Sequence, residues 1–370
     1  MAVYGLKYFC EFDQLNLTQI RYRLEFGFKY YDGPTQRIMG EAKVVTQAYQ
    51  VDDPFAPVKG SSLNINIINE GWLPITSFYS NEDDGVQVKL YQDNVLMWIG
   101  FLVQDDCSEI MLDSNHAISL TATDGLGLLK DVQFGDSTQL NANVLYKIYE
   151  KAYVFLAAPN FVVINACNYR PVVGVQFEFN GIRYTPLSVT GGGLTISVEV
   201  AESVVNTPGI NGYVSVFGTF SMFERNNLLA MIRTCVRNTS LELAINVYCN
   251  LFEAANYTTN SMLQQIFVDA QTYSGKNCYE TLESILSRFG LSLFQSLGEW
   301  QIVRTNEIKY YSSHAVPYFR YDATYWRLTS TGTFNQNITT GIDKDVRLET
   351  GTIQRIYRPF RYTKETYTYQ

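Results

Sequence analysis

Between Thr18 and Tyr30 apolar and polar residues alternate. Ile20, Tyr22, Leu24, Phe26, Phe28 and Tyr30 share one parity, and Arg21, Arg23, Glu25, Gly27 and Lys29 share the other. A period of two predicts a strand with one buried and one wetted face. Asp32-Gly33-Pro34 then predicts a turn. The alternation returns at Leu63, Ile65 and Ile67 around Asn64 and Asn66, at Val86, Val88 and Leu90, and at Ile118, Leu120 and Ala122. Asp93-Asn94 is a turn signal, so Val95 to Val103 reads as the return strand of a hairpin. Residues 1–135 are therefore expected to form a mainly antiparallel β domain, a barrel or a strongly curled sheet.

From Asn141 to Ala158 the apolar spacing changes. Leu145, Ile148, Tyr149 and Ala152 recur at helical intervals, and Pro159 closes the run, which predicts a helix. Phe161 to Phe220 reads as strands again, with turns expected at Asn180-Gly181, Gly191-Gly192-Gly193 and Pro208-Gly209. Only Arg170, Glu178, Arg183, Glu199 and Glu202 are charged between residues 152 and 223. That shift in composition marks residues 136–222 as an inserted, charge-poor β-rich subdomain with a leading helix. Such a module either packs on a neighbouring chain or stands as a sandwich that contacts nothing.

Helical spacing resumes at Asn227 to Arg237, where Leu228, Met231, Ile232 and Cys235 share a face. Met262 to Val268 reads as a short helix or an extended connection. Asn277 to Phe289 carries the clearest apolar stripe, Leu282, Ile285, Leu286 and Phe289, with Gly290 placed for a left-handed C-terminal cap. Strands are expected at Leu291–Gln295 and Trp300–Thr305, joined through Leu297-Gly298. Residues 223–310 thus read as a helical connector and a second compact domain, and 311–370 as a Tyr- and Thr-rich β extension. Within it, Gly351 to Gln370 holds Arg355, Arg358, Arg361 and Lys364 against Glu365. The chain stops inside a strand-like alternation, which predicts that the native chain continues past Gln370. The expected fold class is mainly β with a few helices: two antiparallel β-barrel domains and an inserted β-rich subdomain.

Composition narrows the possible functions. The 370 residues are 46% hydrophobic and 14% aromatic, with 17% charged and a net charge of −8. Ample apolar material and few charges exclude a disordered chain. A protein that grips phosphates usually carries the opposite sign. No basic region followed by an apolar stretch opens the chain, and the longest uncharged run, Ala152 to Tyr169, is broken by Pro159 and asparagines. A cytoplasmically made, soluble protein without a membrane span is expected.

Candidate chemistry is sparse. The six cysteines, Cys10, Cys107, Cys167, Cys235, Cys249 and Cys278, form no C-x-x-C pair, and neither His116 nor His314 lies close to one. Buried thiols acting as small hydrophobes are expected, and no metal or cofactor site. His116 opens a strand and reads as an edge or surface residue. No P-loop or nucleophile elbow occurs. Carboxylates remain: Asp105-Asp106, and Glu82-Asp83-Asp84 before Val86. Neighbours on a strand point to opposite faces, so sequence adjacency does not make a catalytic pair, and solvated loop acids are the simpler reading. No catalytic residue is assigned.

Two stretches resemble a known family. The first runs from Gly60 to Phe134: Leu63-Asn64-Ile65-Asn66-Ile67, then Val86-Gln87-Val88-Lys89-Leu90-Tyr91, a hairpin into Trp98-Ile99-Gly100-Phe101, and a strand closing on Leu120-Thr121-Ala122-Thr123-Asp124-Gly125-Leu126 to Leu129. It resembles the first tube-forming β-barrel of bacteriophage tail-hub (baseplate-hub) proteins. The second, Cys278 to Glu283 through Phe289-Gly290, Phe294-Gln295 and Trp300 to Arg304, is similar to the helix-plus-hairpin of that family's second tube domain. Together they cover about half of the chain. Residues 136–222 and the region after 310 depart from the minimal pattern.

The resemblance implies a non-enzymatic virion protein of the tail tip, made in the host bacterial cytoplasm. It implies a homotrimer whose six barrels match the sixfold tail tube or distal tail protein above. Below, threefold symmetry would meet tip, spike or fibre proteins, and phage DNA would pass through the lumen without specific binding. An acidic lumen would repel DNA. The expected structural residues are Asp124 and Gly125, turning the chain out of the first barrel, Gly100 at a close approach, and Trp98 and Trp300 anchoring two cores. Two other readings stand beside it: a non-catalytic β module binding glycan or a cell surface, and a carboxylate-based carbohydrate-cleaving enzyme.

Overall fold

A computed structural model of the chain describes residues 3–15, 19–53, 55–109, 115–135, 145–165, 171, 173–174, 176–179, 182–192, 195–219, 225–249, 261–304, 315–323 and 328–335. The fold is mainly β, as expected, with several sheets and a few short helices. Expectations for Asn180-Gly181, His314, Cys167 and the basic segment Gly351 to Gln370 lie outside the described residues.

The N-terminal sheet runs in the order Gln36–Arg37, Tyr4–Leu15, Gln19–Lys29, Val86–Gln92, Val95–Leu102, His116–Thr123, Ser61–Asn69, Met39–Tyr49, with Ser108–Glu109 paired on the His116–Thr123 strand. Every ladder is antiparallel except the short one between Tyr8–Phe9 and Gln36–Arg37. The alternation seen in sequence becomes burial: Leu24 and Phe26, Leu63, Ile65 and Ile67, Val86 and Val88, and Ile118, Leu120 and Ala122 all enter one core, with Trp98 at its heart. Asp93 and Asn94 both take positive φ, the mirror-image turn that matches the twist of a two-residue hairpin.

The two ends of this sheet are joined by a single residue. Ile38 alone separates Gln36–Arg37 at one end of the order from Met39–Tyr49 at the other. The sheet therefore curls until its edges meet on one bent stretch of chain. Among the described residues no ladder links the two end strands to each other, so of the two forms expected, a barrel or a strongly curled sheet, the hydrogen-bonded order shows the curled sheet.

The region 145–219 corrects the sequence reading. Leu145–Ala157 is a thirteen-residue strand, not a helix. It pairs antiparallel with Thr207–Thr219 on one side and Phe161–Asn165 on the other. Helical spacing of four apolar residues was outweighed by a run rich in aromatic and β-branched side chains, including Ile148, Tyr149, Tyr153, Val154 and Phe155, which fit a pleated surface better. Pro208-Gly209 is not a turn either. It lies inside Thr207–Thr219, where the register with Leu145–Ala157 shifts between Val154 and Leu156. A bulge there accommodates the proline, which cannot donate to a ladder. The seven-stranded antiparallel sheet runs Ile182–Tyr184, Phe177–Phe179, Thr207–Thr219, Leu145–Ala157, Phe161–Asn165, Thr195–Val200, Pro186–Gly192. Its end strands too are consecutive, separated by Thr185 alone. The device of Ile38 is repeated, around a separate core of Val154, Val162, Ile164, Phe177, Val198 and Val214.

The third unit also departs from expectation. Its sheet is mixed, not antiparallel, in the order Leu328–Asn335, Ala315–Tyr321, Ile245–Tyr248, Glu299–Arg304, Leu291–Ser296, Val58–Lys59. Ile245–Tyr248 runs parallel to Glu299–Arg304, and Val58–Lys59 parallel to Leu291–Ser296. Leu228–Val236 (α1), Met262–Gln265 (α2) and Cys278–Ser287 (α3) are its helices. Asn277 caps α3 in a full capping box with Glu280, and Gly290 follows at φ 62°. α1 is buried on all sides, so the face read from its sequence understates its burial. Leu297 and Gly298 take positive φ in the hairpin turn as their sequence predicts.

Candidate functional site

Of the residues singled out in sequence, Trp98, Gly100, Asp124 and Gly125 gather around Ser61 in the first sheet, and Trp300 lies in the core that this sheet shares with the mixed sheet. Asp124 leaves the His116–Thr123 strand and turns its carboxylate back into the sheet. Oδ2 accepts from the Ser61 backbone N–H at 2.8 Å and from Ser61 Oγ at 2.7 Å, while Oδ1 accepts from Leu126 N–H at 3.0 Å. Asp124 N–H in turn donates to the Ser61 carbonyl at 3.1 Å. Trp98 Nε1 donates to Ser61 Oγ at 2.8 Å, so one serine hydroxyl connects an indole and a carboxylate, all three fully buried.

No cation neutralises Asp124 among the interactions that set its acidity. Burial pushes its pKa from 3.8 up to about 6, against the opposing pull of the hydrogen bonds from Ser61 and Leu126. The group is a structural knot with a titratable centre.

Gly100 and Gly125 flank it. A Cβ at Gly100 would overlap the Thr123 carbonyl oxygen and the Trp98 ring. Gly125 sits at φ +80°, and a Cβ there would lie 3.0 Å from Thr239 Cβ, beyond α1 in the other unit. Both glycines therefore allow close approach, one within the sheet and one between units.

Trp300 stands apart from this knot. It is fully buried in the core shared with the mixed sheet, its backbone N–H donates to Ala244 O at 2.9 Å, and among the described residues its indole N–H finds no acceptor.

Two residues that sequence reasoning missed complete the junction. Gln295 clamps the Val95–Leu102 strand from the other sheet: Ile99 N–H donates to its Oε1 at 2.8 Å, and its Nε2 donates to Ile99 O at 2.7 Å. Ser61 is the other. Each stands at an inward parity among apolar neighbours, Ser61 with Leu63 and Ile65, Gln295 with Leu291 and Leu293. A polar residue at an inward position must find a partner, and that was the available signal. Around them Val58, Phe101, Leu126 and Leu129 from the first stretch share one core with Leu282, Ile285, Leu293 and Trp300 from the second. Cys278 N–H to Val132 O at 2.7 Å and Phe134 N–H to Lys276 O at 2.9 Å fasten the outer side.

The remaining candidates fall elsewhere. Asp105 and Asp106 are exposed on a single turn, and Glu82 and Asp84 both pair with Lys29 Nζ, at 2.5 and 2.8 Å. His116 does open a strand, but it is not a surface residue. Its Nε2 lies 2.7 Å from Glu109 Oε1, with both side chains 9% exposed. Burial raises the Glu109 carboxyl, yet hydrogen bonds from His116, Asn69 and the Ile75 N–H outweigh it and hold the group below its ordinary range. The pair pins the loop that follows Asn69. Cys10, Cys235 and Cys278 are buried free thiols, Cys249 is buried against Met262, and Cys107 is half-buried. Among the described residues there is no cluster of three metal-ligating side chains, and no helix is long and apolar enough to cross a membrane.

Comparison of the chain with protein-family models, curated proteins and solved structures finds no match in any of the three.

Proposed function

We propose that this chain is a structural, non-enzymatic protein of a phage tail tip: a homotrimeric hub that joins the sixfold tail tube to threefold tip, spike or fibre proteins around a DNA channel. The observation that carries the reading is the single core shared by the two stretches that resemble tail-hub proteins. Residues of 60–134 and 278–304 are bound through the Gln295 clamp on Ile99, the Cys278 N–H bond to Val132 O and one continuous apolar cluster. A ring segment that must transmit load between neighbours needs its two units fixed to each other. In this reading the first sheet is a tube-wall barrel, closed through Ile38 by one bent stretch of chain. The sheet of 145–219, closed likewise through Thr185, is an added barrel. The mixed sheet with its helices serves as the buttress between hub units.

Negative-stain imaging of the purified chain tests the reading. Rings with threefold symmetry and a central hole are expected; isolated elongated particles at every concentration would contradict it.

A second reading, a glycan- or cell-surface-binding module, is favoured by one feature. Tyr153 and Phe155, at a ring separation of 4.9 Å, and Phe161 are part-exposed on the added sheet, where the Tyr153 ring lies over Gly209. Aromatic faces of that kind stack on sugars. A glycan array that lights up for the wild-type chain and goes dark for Tyr153→Ala/Phe155→Ala would move this reading forward.

A further inference from the structure

Two of the buried thiols lie against each other. Cys235 stands in the last turn of α1 and Cys278 opens α3, and both side chains belong to the core that the first stretch shares with the mixed sheet. One amide group spans the gap between the two helices. Asn238 Nδ2 donates to Thr234 O at 2.9 Å and Cys235 O at 3.3 Å at the end of α1, and to Cys278 Sγ at 3.5 Å. The Cys235 S–H donates to the same sulfur. Cys278 Sγ thus collects two donors, a setting that favours a thiolate.

The acidities of the pair diverge accordingly. The hydrogen bond from Cys235 holds the Cys278 thiol below its ordinary value, against the opposing effect of burial, and the bond from Asn238 adds to it. Burial and the donated bond push Cys235 well above, so that residue keeps its proton. Burial pushes Cys10 up to about 11 and raises Cys107 as well, so neither shares this activation. Sulfurs in hydrogen-bonding contact need only a short approach to reach the ~2.05 Å of a disulfide.

We propose that Cys235 and Cys278 are a redox-active pair that closes into a disulfide between α1 and α3 when the chain meets hydrogen peroxide. The oxidant must be small, because Cys235 is 0% and Cys278 1% exposed, which shuts out bulky disulfides. The Cys278 thiolate attacks one peroxide oxygen and the O–O bond breaks. The departing hydroxide takes up a proton as water, and Cys278 is left as a sulfenic acid. The Cys235 sulfur then attacks that sulfur, and its proton leaves with the hydroxyl as a second water. Two thiols are oxidised to one disulfide, and one peroxide is reduced to two waters.

The staple acts where the units join. α3 grips the first stretch through Cys278 N–H to Val132 O at 2.7 Å and Tyr279 Oη to Val58 O at 3.4 Å. A bond to Cys235 closes a loop of roughly 43 residues and fixes both helices behind that junction. The dithiol form suits folding in a reducing compartment, and the disulfide suits persistence outside it.

Thiol titration of the full-length chain under denaturing conditions, before and after brief exposure to dilute hydrogen peroxide, tests this. Six thiols should fall to four, and a non-reducing peptide map should join the peptides of Cys235 and Cys278. The unfolding midpoint should rise by about 5 °C and return on reduction. In Cys235→Ala the resolving thiol is gone, so dimedone should label Cys278 as the sulfenic acid. In Cys278→Ala, Cys235 should stay unmodified. Six thiols retained after peroxide, or a cross-link joining other cysteines, would overturn the proposal. Both wild-type readouts hold whether or not the variants fold and whatever the mass of the particle, so they stand apart from the test of the ring.

Discussion

At the scale of single residues, Asp124 makes the sharpest demand. Its pKa is raised from 3.8 to about 6 by burial, so the folded state holds the proton more tightly than the unfolded chain. The sign follows from linkage: the benefit of the neutral acid is complete below pH about 4 and is lost as pH rises toward 6 and beyond, by on the order of 3 kcal/mol. The wild-type minus Asp124→Asn difference in unfolding free energy should therefore fall between pH 4 and pH 7; a flat difference would refute a buried, unneutralised carboxylate. Glu109 has the opposite sign. Its carboxyl is held low, so its contribution is present at neutral pH and fades on acidification, which is why the variant difference and not the raw profile isolates Asp124.

The glycines at the knot give a second residue-scale prediction. Gly100→Ala should cost roughly 2–3 kcal/mol or more, because the added methyl has a backbone carbonyl and a buried indole in its way. Gly125→Ala should cost about 1–2 kcal/mol, set mainly by its left-handed backbone. Chemical denaturation that ranks them the other way would contradict this geometry.

At the scale of elements, several strands of the first sheet were legible because one face is more buried than the other, so burial and sequence parity coincide at Leu24 and Phe26, at Leu63, Ile65 and Ile67, and at Ile118, Leu120 and Ala122. Val95–Leu102, buried on both faces from Trp98 on, was legible through its turn. α1, α3, the Leu297-Gly298 turn and the Gly290 cap were legible for the same local reasons. Leu145–Ala157 was not, since its apolar residues also satisfy a helical spacing. The mixed sheet was hidden too. Its parallel ladders join Val58 to Leu293 and Ile245 to Trp300, and nothing local in those segments encodes a partner so distant in sequence. The candidate residues were found through turn and glycine chemistry, whereas Ser61 and Gln295 were overlooked as single polar letters in apolar strands.

Gln295 carries the element-scale prediction. Gln295→Ala would strip both hydrogen bonds from the buried backbone of Ile99, at a cost of about 2–4 kcal/mol. Amide exchange at Ile99 should accelerate with the loss of stability. An unperturbed Ile99 would mean that the two sheets hold together without the clamp. Asn277→Ala, which removes the capping box of α3, should cost only about 1 kcal/mol and leave that junction intact.

At the scale of the whole molecule, the three larger sheets manage their edges in different ways. Two curl until their end strands are joined through one residue, Ile38 or Thr185, and the third borrows Val58–Lys59 from the N-terminal stretch to cover one side. Protected edges suit a protein that must assemble with chosen neighbours without aggregating. The charge-poor composition and the shared core of the two resembling stretches are the features on which the proposed ring subunit rests.

The mass of the purified chain in solution, measured by light scattering, bears on that claim most directly. The account predicts a particle of three times 42.2 kDa. A mass of one chain at every concentration and salt would contradict it.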